Sequence, residues 1–259
     1  MEIIKFYPIH KPTIWGSETW IASAVKGDES IVSEGCYKGM SLTEIVERFG
    51  SAFLGEANSA RFGKDFPLLI KMIDAQQDLS IQVHPDDKLS AERHGKMGKN
   101  EMWYIVDADH GCQLIAGFKH HLDKKDYAKK ISDGSIEEDL GKVDVAPGDC
   151  IYIPAGRVHS IGAGMKIAEI QQTSDVTYRL YDFMRKDANG NTRELHTELA
   201  LDAIDFDDIV EDPKTKYADE RNTVVTLVES PFFNTNKLTL TAQYERESQD
   251  DSFHTSMCL

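Results

Sequence analysis

Cysteine and long apolar runs are both scarce in this chain of 259 residues. The four cysteines are scattered, with no CxxC pair, which favours reduced, mostly buried thiols over disulfides. No apolar run approaches the length of a membrane span, and the first residues lack a basic stretch followed by a long apolar one. We therefore expect a cytoplasmic protein without a membrane partner.

Positive charge is also in short supply. Lysine and arginine total 29 against 44 aspartates and glutamates, which gives a formal net charge of −15. A surface this acidic repels nucleic acid and anionic lipid, so we expect neither as a partner. If the substrate is an anion, its binding must depend on a local cluster of basic side chains, because the overall field is unfavourable.

Short strand-like runs separated by glycine, proline, asparagine and aspartate fill the first two-thirds of the chain. Their number and even spacing predict a mainly β barrel or sandwich instead of a parallel α/β sheet. Helices are interspersed: "SLTEIVERFG" begins with a capping box of Ser41 and Glu44. Amphipathic spacing predicts helices in "LDKKDYAKKISDG" and "TRELHTELALDAIDF" as well. Residues 205–220 read as a solvated acidic linker.

One predicted strand ends on two side chains that can bind metal. In "LSIQVHPDD", Gln82 and His84 are two residues apart and therefore share a face of the strand. Glu101 begins the apolar run "EMWYIVD" further along. The stretch "PGDCIYIPAGRVHSIG" contains the pattern G-x5-P-x-G-x2-H, and the histidine of that pattern is His159. Its glycines and proline force tight turns, which direct the histidine toward a barrel mouth.

Together these residues predict a metal site. Two imidazoles, one carboxylate and one amide oxygen suit Zn²⁺ and tolerate Mn²⁺, Fe²⁺ or Co²⁺. A set that leaves room for water or a substrate oxygen is typical of a reactive site. A lone histidine at a strand end is more often a surface residue, but the full Gly-Pro-Gly-His spacing rarely arises by chance. The expected ligands are Gln82, His84, Glu101 and His159.

The same segments resemble the cupins, small β-barrels that hold a divalent metal near one end. Within that group the chain resembles the type I mannose-6-phosphate isomerases in their short bacterial form, from "KPTIWGSETW" through "IQVHPDD" and "IPAGRVH" to "AEIQQTSDVTYRLYDF". The resemblance implies a jelly-roll barrel and one Zn²⁺ per chain, bound by the four residues above. It also implies interconversion of mannose 6-phosphate and fructose 6-phosphate through an enediol(ate), and a monomer or homodimer whose partner is a small sugar phosphate.

The resemblance also implies catalytic residues. Arg179, in "SDVTYR", matches the family's catalytic arginine, and a permanent cation suits the charge that develops on the sugar oxygens. Lys99 and Glu169 match family residues as well, and either one is a candidate for the base. The chain departs from longer members at Gly98, where they carry a histidine proposed to help open the sugar ring. Ring opening then falls to another group or to water.

Substrate binding is expected from Lys71, Trp103 and Arg157. Lys71 matches a family lysine and lies in the apolar run "LLIKMIDA", where a charge needs either a buried partner or access to the site. Trp103 follows Glu101 on the same strand face and either lines the pocket or packs in the core. Arg157 is a candidate for the phosphate, with a surface salt bridge as the alternative.

We expect residues 1–190 to form the metal-binding cupin domain, 191–220 a helix and acidic linker, and 221–259 the start of a second cupin-like β-domain. Because the sequence stops where a strand is under way, that second domain is expected to be incomplete, either truncated or covered by a neighbouring chain. Two other functions stay open. One is a metal-containing cupin that binds or senses a sugar phosphate without turnover, and the other is a different metal-dependent cupin enzyme, such as an iron oxygenase.

Overall fold

Two antiparallel sheets form the body of the protein. The computed structural model describes residues 3–186, 189–245, 247 and 250–259. The strands are β1 (Ile9–Thr13), β2 (Gly16–Ala22), β3 (Ala24–Val25), β4 (Asp28–Glu29), β5 (Leu68–Ala75), β6 (Ile81–Val83), β7 (Glu101–Ala108), β8 (Gln113–Phe118), β9 (Leu140–Asp144), β10 (Cys150–Ile153), β11 (His159–Ile161), β12 (Met165–Gln172), β13 (Tyr178–Tyr181), β14 (Val224–Glu229) and β15 (Asn234–Leu238).

Short helices connect and flank the strands. They are α1 (Leu42–Phe49), α2 (Ser51–Leu54), α3 (Glu56–Phe62), α4 (Asp87–His94), α5 (Lys124–Asp133) and α6 (Thr197–Ala200), with a 3₁₀ turn at Ser135–Glu138. The expected mainly β chain with interspersed helices is confirmed. None of the helices in the described part of the chain has the length and apolar character needed to cross a membrane.

The main core lies between the two large sheets. The larger sheet has the strand order β1-β2-β5-β12-β7-β10, and the smaller has β13-β6-β11-β8-β9. Ile73 and Ile105 of the larger sheet pack in one buried cluster with Leu114 and Ile161 of the smaller sheet. Alternation along the strands explains this arrangement, because every second side chain points to the same face.

Strand pairing aligns polar residues on the buried face of the larger sheet. Lys71 on β5 is paired with Glu169 on β12, and Glu169 is paired with Trp103 on β7. Directly paired residues point to the same face, so the three side chains lie side by side. Glu101 precedes Trp103 by two residues and therefore shares that face.

A second polar row crosses the smaller sheet. Gln82 on β6 is paired with His159 on β11 and, on its other side, with Arg179 on β13. His84 follows directly after the last residue of β6. The two sheets thus each bring part of the expected site to one end of the core.

Local sequence signals account for one helix but not for another. The capping box of α1 forms as expected, since Ser41 accepts the backbone N–H of Glu44 at 3.1 Å and Glu44 accepts that of Ser41 at 2.7 Å. The longer helix predicted in "TRELHTELALDAIDF" is reduced to Thr197–Ala200. The preceding residue explains this, because the N–H of His196 donates to the carbonyl of Arg179 on β13 at 2.7 Å. Extended pairing with β13 replaces the first turns of the helix.

The acidic segment 205–220 has many exposed residues but is attached to the body of the protein at several points. The N–H of Thr215 donates to the carbonyl of Cys150 on β10 at 2.8 Å. Asp208 forms a two-point ion pair with Arg157, at 2.7 and 2.8 Å. These attachments depend on contacts between residues far apart in sequence, which composition does not reveal.

Strands β14 and β15 form a separate two-stranded hairpin. Leu227 and Val228 of the hairpin are buried in one apolar cluster with Leu42 of α1 and with Phe66. The hairpin therefore covers part of the first 190 residues. Its interpretation as the start of a second cupin-like domain stays a prediction, as does the division of the chain into three parts.

Candidate metal centre and active site

Two histidines and one glutamate meet where the two sheets approach each other. His159 begins β11 and His84 follows β6, whereas Glu101 begins β7 of the other sheet. The two histidine Nε2 atoms are 3.2 Å apart. Glu101 places Oε2 3.5 Å from Nε2 of His84 and Oε1 3.3 Å from Nε2 of His159. All three side chains are buried.

The spacing of these atoms fits a tetrahedral cation. Zinc–ligand bonds of about 2.0–2.1 Å in a tetrahedron place neighbouring ligand atoms roughly 3.3–3.4 Å apart, and the three separations here span 3.2 to 3.5 Å. The residues present therefore fit a bound metal ion.

Backbone carbonyls determine which nitrogen of each ring faces the centre. Nδ1 of His84 lies 2.9 Å from the carbonyl of Val176, and Nδ1 of His159 lies 2.8 Å from that of Arg157. A carbonyl accepts only, so each Nδ1 carries the proton and each Nε2 presents a lone pair. Two facing lone pairs and a carboxylate repel one another unless positive charge lies among them. This is the donor arrangement of a metal site.

Lys99 supplies part of that positive charge. Its Nζ is 2.9 Å from Nε2 of His84 and 2.8 Å from Oε2 of Glu101. Apart from this ion pair, neither oxygen of Glu101 accepts a hydrogen bond from the described residues. The carboxylate therefore keeps lone pairs that a metal ion can use.

Burial keeps both imidazoles neutral. Burial and the positive charge of Lys99 hold the pKa of His84 well below its usual range, and burial lowers the pKa of His159 to about 3. Neutral imidazole is the form that binds metals, so the protonation state agrees with the geometry.

Gln82 lies beside this group, and its role as a fourth ligand stays a prediction. Its Nε2 is 3.4 Å from Nε2 of His159, and a half-turn of the amide exchanges its nitrogen for its oxygen. Pairing between the strands places Gln82 between His159 and Arg179. The structure thus brings all four expected ligands together.

A row of alternating charges continues from Glu101 across the larger sheet. Lys99 Nζ lies 4.0 Å from Oε1 of Glu169, Lys71 Nζ lies 3.1 Å from the same oxygen, and Glu18 Oε2 lies 3.4 Å from Lys71 Nζ. Although burial opposes its charge, Glu169 and Glu18 hold the pKa of Lys71 above its usual range. Burial, with the negative charge of Glu101, raises the pKa of Glu169. Lys71 thus has the buried partners that its apolar strand requires, and its role in substrate binding stays a prediction.

Sequence reasoning does not identify Glu18. This residue lies on β2, and its Oε2 accepts the indole N–H of Trp20 at 2.6 Å. Although burial opposes ionisation, the charge of Lys71 keeps the pKa of Glu18 below its usual value. The sequence signal is an acidic residue alternating with an aromatic one in "GSETW", a pattern equally typical of an exposed strand.

Trp103 forms a buried wall of the site. Its indole N–H donates to Oε2 of Glu169 at 3.1 Å, and its ring meets the ring of His159 edge-on at 5.4 Å between centroids. The side chain has no exposed surface. It orients two functional side chains, and a contact between Trp103 and a substrate stays a prediction.

The guanidinium of Arg157 is held by structural partners. Besides Asp208, it donates to the carbonyl of Tyr152 at 2.9 Å. The part of Arg157 that reaches the metal centre is its carbonyl, which fixes His159. The geometry thus resembles the salt-bridge alternative, and phosphate binding by this residue stays a prediction.

Arg179 lies on the less buried side of the site. Its Nη1 donates to the carbonyl of Glu194 at 2.9 Å, and its Nε is buried without a hydrogen bond to the described residues. Burial and the charge of Arg193 lower the pKa of Arg179, but a guanidinium remains cationic in proteins.

The absence of a side chain at Gly98 has a packing reason. A Cβ at Gly98 would lie 2.5 Å from the backbone nitrogen of Asp87 and 2.6 Å from the carbonyl carbon of Asp86. Both distances are too short for non-bonded atoms. Any side chain at this position requires the loop to move away from the start of α4.

Comparisons with known proteins show the family of the chain. Residues 5–128 match the family model described as phosphomannose isomerase type I, catalytic domain. The chain is 36% identical over 266 residues to the mannose-6-phosphate isomerase ManA of Bacillus subtilis, an alignment that covers 96% of this chain and 82% of the relative. It is 37% identical over 226 residues to the mannose-6-phosphate isomerase of Streptococcus mutans, covering 87% and 70%.

Solved structures give the same result for the fold. The crystal structure of mannose 6-phosphate isomerase from Bacillus subtilis matches with a TM-score of 0.81 at 33% identity, over 89% of this chain and 78% of that one. A structure of a mannose 6-phosphate isomerase described as holo and zinc-bound matches with a TM-score of 0.66 at 14% identity, over 87% and 80%. At that identity the match is evidence for the fold alone. The expected cupin fold is confirmed.

Replacing one imidazole tests the metal centre. We expect His159→Ala to remove tight zinc binding, because it deletes one of two convergent lone pairs. The exposed His110 provides a matched control, and His110→Ala should bind zinc as the unchanged protein does. Zinc titration by calorimetry, with metal content after dialysis, measures both. A folded His159→Ala protein that keeps its full zinc content contradicts the assignment.

Proposed function

This chain belongs to the type I phosphomannose isomerases, and we propose from that premise that it interconverts mannose 6-phosphate and fructose 6-phosphate with one bound Zn²⁺. The observation that carries the proposal is the convergence of His84, Glu101 and His159, whose ligand atoms all lie within 4.8 Å of one another. An isomerase of this family needs a cation at the reacting end of the sugar, and this is where the chain can hold one.

Four residues would hold the metal: Gln82, His84, Glu101 and His159. Zinc suits them because the set combines neutral imidazoles with oxygen donors and has no thiolate. When bound, the ion supplies a fixed positive charge that polarises the sugar oxygens beside the reacting carbons.

The reaction moves a proton between C1 and C2 of the open-chain sugar. When the proton leaves, negative charge develops on the oxygens of these carbons. We assign Arg179 to the stabilisation of that charge, because it is cationic and is paired across the sheet with Gln82. Its buried Nε forms no hydrogen bond with the described residues, so it keeps a donor for the substrate. A fixed donor in a site shielded from water stabilises such charge more than solvent does.

Glu169 and Lys99 divide the proton transfer between them in this proposal. Burial raises the pKa of Glu169, which makes it a stronger base than an ordinary carboxylate. Trp103 and Lys71 hold its two oxygens in place. Lys99 Nζ lies 2.8 Å from Oε2 of Glu101 in an ion pair. We therefore assign the base to Glu169 and a proton-donating role at the sugar oxygens to Lys99.

Chelation tests the function directly. We expect the zinc-loaded protein to convert mannose 6-phosphate to fructose 6-phosphate in a coupled assay. Activity should disappear with a chelator and return with added Zn²⁺, because the buried carboxylate and imidazoles need the cation to hold their arrangement. A folded, zinc-loaded protein without turnover contradicts the proposal and favours a cupin that binds sugar phosphate without converting it.

Arg179→Ala separates chemistry from metal binding. Arg179 forms no contact with the three convergent ligands, so zinc content should be unchanged, whereas kcat should fall about 100-fold or more, as for other lost donors to a developing oxyanion. Arg48→Ala, at an exposed position on α1, serves as the control. Loss of zinc from Arg179→Ala, or unaltered turnover, contradicts this role.

The identity of the base can be tested by hydrogen exchange. With Glu169 as the base, Glu169→Gln should lose both turnover and exchange of the transferred hydrogen with deuterated solvent, followed by NMR. Lys99→Met should lose turnover but keep slow exchange. Glu18→Gln makes the same chemical change elsewhere in the charged row and should keep exchange. Exchange that persists in Glu169→Gln but not in Lys99→Met reassigns the base to Lys99.

A further inference from the structure

Three arginines gather beside the candidate site of a chain whose net charge is −15. Arg179 projects from β13, and the charges of Arg193 and Arg185 are close enough to lower its pKa, after the larger effect of burial. The charges of Asp182 and Glu194 act on Arg179 in the opposite direction. One carboxylate, Asp182, pairs with both Arg185 and Arg193, so it does not neutralise the two together.

Asp182 organises the cluster. Its Oδ2 accepts Nε of Arg193 at 2.7 Å and its Oδ1 accepts Nη2 at 2.6 Å, a two-point pair. Arg185 also donates to Asp182 Oδ1 and to the carbonyl of Asp78. Asp182 is 5% exposed, so solvent screens these pairs little. One buried carboxylate thus fixes two arginines.

The clamp leaves donors unused. Nε and Nη2 of Arg193 are taken by Asp182, while Nη1 makes no hydrogen bond with the part of the chain that the structure describes. Its side chain is 26% exposed, so a ligand can reach it. Nε of Arg179 is likewise without a hydrogen bond there. Fixed guanidinium donors of this kind suit a phosphate group.

The backbone ties Arg193 to the active-site strand. The N–H of His196 donates to the carbonyl of Arg179 at 2.7 Å, and the N–H of Arg179 donates to Nδ1 of His196 at 3.1 Å. The carbonyl of Glu194 accepts Nη1 of Arg179 at 2.9 Å. The segment that carries Arg193 therefore runs alongside Arg179 and has little freedom to move away from it.

The strand pairing in the smaller sheet shows how far Arg179 lies from the metal ligand His159. Arg179 is paired with Gln82, and Gln82 with His159. Two strand spacings of about 4.8 Å separate the backbones of β13 and β11. In a hexose 6-phosphate the phosphate lies at the opposite end of the carbon chain from C1 and C2. A sugar with its reacting carbons at the metal centre and its length across these strands brings its phosphate to the arginines.

We propose that Arg193, fixed by Asp182, binds the phosphate of the substrate and that Arg179 lies between this phosphate site and the metal centre. Asp182 and Arg185 act as positioning residues. The inference rests on the proposed function, since it names the group that recognises the phosphate of that substrate.

Arg193→Gln, with Arg48→Gln as the matched control, tests the proposal. KM for mannose 6-phosphate should rise about 10- to 100-fold, the size expected for a lost charge-assisted contact, while kcat and zinc content change little. Inorganic phosphate is the second probe. It should inhibit the unchanged protein and Arg48→Gln competitively, and its binding measured by calorimetry should weaken by the same factor in Arg193→Gln. Arg193→Lys keeps the charge but loses the planar guanidinium. Its KM and its affinity for phosphate should therefore lie between those of the unchanged protein and those of Arg193→Gln.

Asp182→Asn tests the positioning role. It keeps all three arginines but weakens the clamp, so KM should rise with little change in kcat, and phosphate binding should weaken less than in Arg193→Gln. An unchanged KM and unchanged phosphate binding in a folded Arg193→Gln protein overturn the proposal and leave the arginines as a structural clamp. If Arg193→Gln does not fold, Arg193→Lys decides by the same two measurements. If the protein has no turnover but binds phosphate in a way that depends on Arg193, the proposed isomerase activity is contradicted. The assignment of Arg193 to phosphate binding is then still supported.

Discussion

Two imidazole lone pairs and a carboxylate, buried at one point, are the constraint on which the rest of the structure depends. Such a set repels itself unless a cation holds it, and burial strengthens that repulsion because water cannot screen it. His159 belongs to the smaller sheet and His84 directly follows β6 of that sheet, whereas Glu101 belongs to the larger sheet. A cation at this point therefore also joins the two sheets, so the chemistry of the site and the packing of the core are coupled.

The charged row extends that coupling across the larger sheet. Lys99 and Lys71 each lie between two carboxylates, and their signs alternate from Glu101 through Glu169 to Glu18. Burying any one of these charges alone would cost several kcal/mol, whereas alternation satisfies each of them. These ion pairs hold the charged side chains in place. Proton transfer needs such accurate geometry.

Features that depend on residues close together in sequence could be predicted from the sequence. Contacts between residues far apart in sequence could not. Gln82 and His84 follow from the two-residue period of a strand, His159 from a turn pattern, and the start of α1 from its capping box. Glu18 and the partner of Arg157 depend on which strands and loops become neighbours, which no local pattern records. The helix expected after position 191 is shorter than predicted for the same reason, since pairing of His196 with β13 outweighs amphipathic spacing.

The distribution of charge has a consequence for an anionic substrate. A negative surface lowers the concentration of sugar phosphate around the protein and slows its arrival, so affinity must come from a few fixed donors. The buried row cannot supply them, because its lysines are neutralised by their own carboxylates. The arginines around Asp182 differ, since this one carboxylate pairs with both Arg185 and Arg193 and part of Arg193 is exposed. A buried carboxylate that pairs with two arginines thus fixes guanidinium donors at the edge of the site without neutralising both, and such donors can bind a dianion.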